Sequence, residues 1–92
     1  MTSSVASSAP SAIGSIGEGR EAIDGIDQRL RDLLAERREI SAQIQRLRAA
    51  EGGPRIEHGR ENAIITAWSE RLGPAGVDIA MAVLALCRGS LG

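Results

Sequence analysis

A long amphipathic helix is the first element that the hydrophobic pattern predicts. From about Gly19, apolar positions follow one another at alternating steps of three and four, the spacing of one helix face. The pattern ends near Ala50, before Gly52, Gly53 and Pro54, which are stop and turn signals. The stripe consists of Ile23, Ile26, Leu30, Leu33, Arg37, Ile40, Ile44 and Leu47.

Two shorter helices are predicted to follow. The second starts near residue 57 or 58, runs to Leu72 and is expected to break at Gly73–Gly76. The third runs from about Val77 to Arg88 and is apolar nearly all round, which is typical of a buried element. The predicted fold class is all-α, with one long and two shorter helices per chain. The apolar face of the second helix contains Ile64, Ile65, Trp68 and Leu72.

The segment before the long helix has a different composition. Residues 1–18 are rich in Ser, Ala and Gly and carry no charge before Glu18. They lack the basic start and continuous apolar stretch of a signal peptide, and no stretch is apolar enough to span a bilayer. We therefore expect a cytoplasmic protein with a flexible leader over residues 1–18 and a helical domain over residues 19–92.

The length of the first helix favours a dimer. A helix of about 30 residues is roughly 45 Å long, whereas a domain of this size has a radius of gyration of roughly 12 Å. The helix would extend beyond its own domain and leave much of its apolar stripe in water. Two chains that pair these helices in an intertwined homodimer would bury the stripe, although a plain coiled coil would bury it too.

The charged residues narrow the choice of ligands. The formal net charge is −1, so the overall balance indicates neither nucleic-acid nor membrane binding. All eleven basic residues are arginines, whose donor geometry fits a carboxylate in bidentate fashion. A bias in genome composition would produce the same preference, so this alternative stays open. Cys87 is the only cysteine, which excludes an intrachain disulfide, and we expect it to be a small buried hydrophobe.

Several charges occupy positions where apolar residues are expected. Arg37 lies on the stripe of the first helix, and Arg48, eleven residues later, returns to nearly the same face. Glu61 lies on the apolar face of the second helix, with Arg60 beside it. A buried guanidinium requires an anion, so either Arg37 and Glu61 form a structural ion pair, or the cations line a pocket for a small anion. The excess of cations favours a compact dicarboxylate ligand.

This arrangement resembles the all-helical chorismate mutases. The resemblance is specific from Arg20 to Glu61 and looser from Asn62 to Gly92, where the closing residues 88–92 look like the short actinobacterial members. It rests on Ile26-Asp27, Leu30, residues 33–40, Arg48, the glycine-rich turn and Arg60-Glu61.

The resemblance implies an isomerase of the shikimate pathway, which converts chorismate to prephenate for phenylalanine and tyrosine biosynthesis. The reaction needs no proton transfer, nucleophile, metal or cofactor. The protein holds the chair-like conformer of its dianionic substrate and stabilises the charge that separates as the ether bond breaks.

The resemblance also implies roles for single residues. Arg37 matches an arginine that binds a substrate carboxylate, and Arg48 matches the cation that donates to the ether oxygen, the main transition-state stabiliser. Arg60 and Glu61 match the pair that contacts a carboxylate and the ring hydroxyl. Arg20 matches an arginine that reaches into the other protomer's site. It lies seventeen residues from Arg37, roughly 25 Å along one helix, so it cannot share that site within one chain.

The last helix departs from the pattern of many family members. They place Gln or Glu beside the ether oxygen, but this chain has no Gln after Gln45 and no acid after Asp78. Glu57 stands where some relatives have Asp near the hydroxyl, and we assign both Glu57 and Arg88 to substrate binding. The short actinobacterial members share the departure, are poor catalysts alone and gain activity on binding DAHP synthase. We expect the same partner here, contacted by residues 88–92.

Two alternatives remain at this stage. A sister enzyme on the same scaffold, an isochorismate pyruvate-lyase or an aminodeoxychorismate mutase, would use the same carboxylate-binding arginines. A non-catalytic helical dimer that binds a partner or senses a shikimate-pathway metabolite could keep Arg37 but would not need Arg48 for turnover.

Overall fold

The structure, a computed structural model, describes residues 12–53 and 57–88 of the chain. These residues form three α-helices, α1 (Ile16–Glu51), α2 (His58–Leu72) and α3 (Pro74–Arg88). The all-α prediction with one long helix is therefore confirmed. None of the described helices is both long and apolar enough to cross a membrane. Residues 1–11 of the expected leader and residues 89–92 of the expected partner contact lie outside the described residues.

The chain divides into two compact units, residues 1–32 and residues 33–92. In the first unit, α1 begins with an arrangement related to the capping box, in which Glu18 accepts from the amide before the N-cap residue Ser15. The Glu18 amide donates to Ser15 Oγ at 3.1 Å, and the Gly14 amide donates to Glu18 Oε1 at 2.8 Å. Because these two side chains satisfy amides at the helix start, α1 begins at Ile16, three residues before the predicted start near Gly19.

In the second unit, α1 ends in a Schellman motif. Gly52 has φ +79°, and its amide donates to the Ala49 carbonyl at 3.4 Å. The Gly53 amide donates to the Arg48 carbonyl at 2.9 Å. The glycine pair therefore ends the helix as predicted, although the last helical residue is Glu51 and not Ala50. The motif also fixes the backbone of the last turn at Arg48.

A single residue separates α2 from α3. Gly73 has φ 80° and ψ −164°, a conformation available essentially only to glycine, and its amide donates to the Ser69 carbonyl at 2.7 Å. Pro74 is already the first residue of α3, where its fixed φ suits the helix and its missing N–H costs nothing. The predicted start near Val77 was wrong because Pro74 begins the helix and does not prolong the break.

The helices α2 and α3 pack against each other through a stripe of small and aliphatic residues. A Cβ on Gly76 would lie 2.8 Å from the carbonyl carbon of Trp68, so the backbones can approach this closely only at glycine. The expectation that α3 is buried all round is wrong for the single chain, where Ile79 and Met81 are 43% and 55% exposed. Its buried face consists of Gly76, Ala80, Val83, Leu84 and Cys87.

The long helix α1, which the structure describes in full, contains no buried residue. The apolar members of its stripe are 42–62% exposed in the single chain. The heptad pattern thus leaves a half-exposed apolar face along α1. That face consists of Ile23, Ile26, Leu30, Leu33, Ile40, Ile44 and Leu47.

Candidate active site

The second unit contains a half-open cavity of about 180 Å³ to which all three helices contribute. Six of the seven site residues predicted from the sequence line this cavity: Arg37, Arg48, Glu57, Arg60, Glu61 and Arg88. The remaining lining residues are Ile40, Ser41, Ile44, Gln45, Ile64, Leu84 and Cys87. Charged groups and aliphatic side chains therefore share one small space.

One face of α1 supplies a wall of the cavity. Arg37, Ser41, Ile44 and Arg48 follow at steps of four, three and four, which places their side chains above one another along the helix. Because the Schellman motif involves the Arg48 carbonyl directly, this arginine has a defined position in the last turn of α1.

Arg48 meets the residue that precedes α2. Its Nη2 lies 2.6 Å from Glu57 Oε2, with the two side chains 24% and 47% exposed. Glu57 occupies the N-cap position of α2 but makes no side-chain capping hydrogen bond. The Glu57 side chain instead points towards Arg48 and lines the cavity.

Glu61 is paired with Arg88 across α2 and α3. Arg88 Nη1 lies 2.6 Å from Glu61 Oε2, with the side chains 36% and 23% exposed. The structural alternative from the sequence, an ion pair between Arg37 and Glu61, is wrong because the packing of α3 brings Arg88 to this carboxylate. Both charges also interact favourably with the helix dipoles, because Glu61 lies in the first turn of α2 and Arg88 in the last turn of α3.

Arg37 contacts a neutral group. Its Nη1 donates a hydrogen bond to Cys87 Sγ at 2.9 Å. Cys87 is 4% exposed, which confirms its predicted burial. This polar contact is not predicted by the spacing along the chain, because it joins residues fifty positions apart.

The charges of the cavity do not cancel. Among the described residues, four arginines and two glutamates line it, which gives this lining a formal charge of +2. Each glutamate is paired with one arginine, Glu57 with Arg48 and Glu61 with Arg88. Arg37 contacts a thiol, and exposed Arg60 forms no ion pair within residues 12–53 and 57–88. The cavity is therefore suited electrostatically to a compact dianion.

Two polar lining residues were not singled out from the sequence. Ser41 lies one turn after Arg37, and Gln45 lies nearly one turn before Arg48. The helical spacing that related the two arginines could have found them.

Arg20 is the one predicted site residue that does not line the cavity. It lies on α1 in the first unit and is exposed. Its role in the other protomer's site stays a prediction. Among the described residues, no group of three or more His, Cys, Asp or Glu side chains is placed to hold a metal ion.

An all-helical domain with an arginine-rich cavity is suited to the binding of a small polyanion. Residues 19–87 match the chorismate mutase type II family, and the chain belongs to this family.

Similar proteins agree with this membership. An intracellular chorismate mutase of Mycolicibacterium smegmatis is 40% identical over 81 residues, covering 88% of this chain and 78% of the relative. One of Mycobacterium tuberculosis is 45% identical over 73 residues, covering 79% of this chain and 69% of the relative. A solved chain is also similar, with a TM-score of 0.77 and 38% identity over 84% of this chain and 93% of that one. It comes from a non-covalent complex of DAHP synthase and chorismate mutase from Corynebacterium glutamicum with a bound transition-state analogue.

Proposed function

We propose that this protein is a chorismate mutase that rearranges chorismate to prephenate in the biosynthesis of phenylalanine and tyrosine. The observation that carries the proposal is the cavity of charge +2, since chorismate carries two carboxylates and no cation. Membership of the chorismate mutase type II family supports it.

The cavity contains the parts that a unimolecular rearrangement needs. Aliphatic walls from Ile64 and Leu84, with cations at fixed positions, restrain the flexible substrate in its chair-like reactive conformer. As the ether bond breaks, negative charge builds on the ether oxygen. Arg48 donates to that oxygen, and because Glu57 and the Schellman motif hold it, little reorganisation is needed during the reaction.

The other charged residues bind the ends of the substrate. Arg37 and Arg60 have no carboxylate partner in the described structure, and they take the substrate carboxylates. Glu61 accepts from the ring hydroxyl, with Glu57 nearby. A carboxylate has about four acceptor positions, so the bond that Glu61 receives from Arg88 leaves capacity for a hydroxyl.

The working form that we propose is an intertwined homodimer. Its basis is the half-exposed apolar face of α1, which a second copy of the chain would cover. In this dimer, Arg20 of each chain completes the site of the other. Catalysis belongs to residues 19–92, and the proposed location is the cytoplasm, in keeping with the intracellular relatives.

The proposed activating partner is DAHP synthase, which forms a complex with chorismate mutase in the corynebacterial structure. Residues 88–92 provide the contact. Arg88 is also bonded to Glu61 in the cavity, so a partner that moves this end of α3 would change the site. Turnover measured with and without the cognate synthase tests the idea, which fails if the rate is unchanged.

The identity of the product tests the proposed reaction. The full-length protein is incubated with chorismate, isochorismate and aminodeoxychorismate, each with and without DAHP synthase, and the products are identified by NMR. We expect prephenate from chorismate. Pyruvate from isochorismate without chorismate turnover would indicate an isochorismate pyruvate-lyase. Rearrangement of aminodeoxychorismate alone would indicate an aminodeoxychorismate mutase. No turnover of any of them would leave a non-catalytic binding dimer.

A further inference from the structure

A hydrogen bond between Arg37 and Cys87 joins α1 to α3 at the cavity. We propose that Cys87 is a positioning residue, whose thiol directs the guanidinium of Arg37 towards a substrate carboxylate without neutralising its charge. The proposal rests on the proposed function, because it assigns Arg37 to the binding of that carboxylate.

The geometry makes Cys87 a rigid support. Its side chain is 4% exposed and belongs to the buried face of α3, beside Val83 and Leu84. Arginine is long and loses much rotamer freedom when it is ordered. A bond of 2.9 Å from Nη1 to the fixed sulfur orders the guanidinium before the substrate arrives. The guanidinium carries five N–H donors, so this bond leaves the others for a carboxylate.

The chemistry of the thiol explains why a cysteine suits this position. Sulfur is a weak, neutral acceptor, so it holds the guanidinium but leaves its positive charge available. The ion pairs of Glu57 and Glu61 behave differently, because each of these residues places a carboxylate 2.6 Å from an arginine. A carboxylate at position 87 would occupy Arg37 in the same way and compete with the substrate.

Substitutions at position 87 separate these effects. The KM and kcat for chorismate are measured on full-length variants, together with the Kd of a stable bicyclic diacid that mimics the chair-shaped transition state. Cys87→Ala removes the acceptor and raises KM and Kd roughly fivefold, the effect of losing one ordinary hydrogen bond. Cys87→Ser keeps an acceptor and stays within about threefold of the native protein, whereas Cys87→Asp neutralises Arg37 and raises both constants more than roughly tenfold.

A matched control removes the same kind of packing without touching Arg37. Val83 is 5% exposed on the same face of α3 but does not line the cavity. Val83→Ala therefore lowers stability and leaves the Kd of the diacid unchanged. An increase in Kd equal to that of Cys87→Ala would overturn the proposal, because it would show an effect of packing alone.

A double-mutant cycle tests whether Cys87 acts through Arg37. In an Arg37→Ala background, the further change Cys87→Ala is expected to leave KM and Kd where they were. The same fivefold effect in both backgrounds would overturn the proposal, as would a Cys87→Ala variant that binds the diacid with native affinity.

The two proposals fail in different ways. If the native protein converts no chorismate, alone or with DAHP synthase, the proposed function fails, and the diacid affinities of the same variants decide the role of Cys87. If the diacid does not bind the native protein, the assignment of Cys87 is overturned as well.

Discussion

The four arginines of the cavity differ in what they contact, and the difference suits them to different tasks. Arg48 and Arg88 each lie 2.6 Å from a glutamate, which fixes their positions. Within residues 12–53 and 57–88, Arg37 contacts a thiol and no carboxylate, and Arg60 is exposed. An arginine that is held by a carboxylate suits the stabilisation of charge that develops at one atom. An arginine without such a partner suits the binding of a full carboxylate charge.

Arg48 is expected to carry most of the rate. Removing one preorganised donor to a developing charge typically costs roughly 10²–10³ in kcat, and this is the loss we predict for Arg48→Ala. Arg48→Lys keeps a cation and should retain more activity. The control is Arg46→Ala, because Arg46 lies on the same helix, is 67% exposed and does not line the cavity. Equal kcat values for the Arg46→Ala and Arg48→Ala variants would contradict the assignment.

Arg60 is expected to act on substrate binding. Hydrogen bonds to charged groups contribute about 1.5–3 kcal/mol, so Arg60→Ala should lower kcat/KM roughly 10- to 100-fold, mainly through KM. Arg71→Ala serves as control, since Arg71 is an exposed arginine in the last turn of the same helix. Steady-state kinetics on both variants makes the comparison. An unchanged KM for Arg60→Ala would remove Arg60 from the site.

At the residue scale, the sequence located the cavity residues better than their partners. Helical periodicity determines which face a residue occupies, so Arg37 and Arg48 could be placed together before the structure was known. The partners depend on how α3 packs against α2 and on side-chain rotamers. For that reason neither the Arg37–Cys87 contact nor the Arg88–Glu61 pair could be read from spacing.

At the scale of helices, boundaries depend on local side-chain chemistry. The end of α1 and the span of α2 were close to their predictions, because glycines with positive φ stop both helices at Gly52 and Gly73. The starts of α1 and α3 lay three residues before the predicted ones. Ser15 with Glu18, and Pro74, are start signals of the ordinary kind, but they lie in segments whose composition favours loops.

The close contact of α2 and α3 at Gly76 predicts that a methyl group at this position destabilises the fold. Gly76→Ala would place Cβ 2.8 Å from the Trp68 carbonyl carbon and 3.1 Å from Leu72 Cβ, so the helices must separate. Overpacking of this kind costs about 1–3 kcal/mol. Urea unfolding at a fixed protomer concentration measures the loss.

Gly59 provides the control for this prediction. It lies in the first turn of α2, and a Cβ there would meet nothing within 4 Å. Gly59→Ala should therefore change stability by less than about 1 kcal/mol, in the stabilising direction. If Gly76→Ala proved as stable as Gly59→Ala, the description of the α2–α3 packing would be wrong.

At the scale of the whole molecule, the apolar face of α1 is the basis of the proposed homodimer. Seven aliphatic residues of this face are 42–62% exposed in the single chain. Burying the exposed half of each side chain in a dimer would contribute about 1 kcal/mol per residue to the free energy of association. The length of the helix and its heptad spacing predict pairing, which stays a prediction, and the residues that would cross between chains depend on the geometry of the second copy.

A charge on the apolar face of α1 should separate the proposed dimer. Leu33 is 59% exposed on this face, and Leu33→Glu would place two carboxylates in the paired interface. In size-exclusion chromatography with light scattering, we expect the variant to elute as a monomer. A weakened dimer would dissociate at a much higher protein concentration than the native dimer. Arg38 lies off the apolar face, so the Arg38→Glu variant should remain dimeric although this substitution changes the net charge more than Leu33→Glu does. A dimeric Leu33→Glu variant would rule out this interface.

One measurement tests the central claim, a chorismate mutase whose site is completed across a dimer. Arg20→Ala and Arg48→Ala chains are co-expressed, and the loss of chorismate absorbance is compared with that of each variant alone. In a mixed dimer, one site combines the intact cavity of the Arg20→Ala chain with Arg20 of the other chain. Half of the dimers are mixed and each has one complete site, so roughly a quarter of the native activity should return. A mixture no more active than the separate variants would contradict the account.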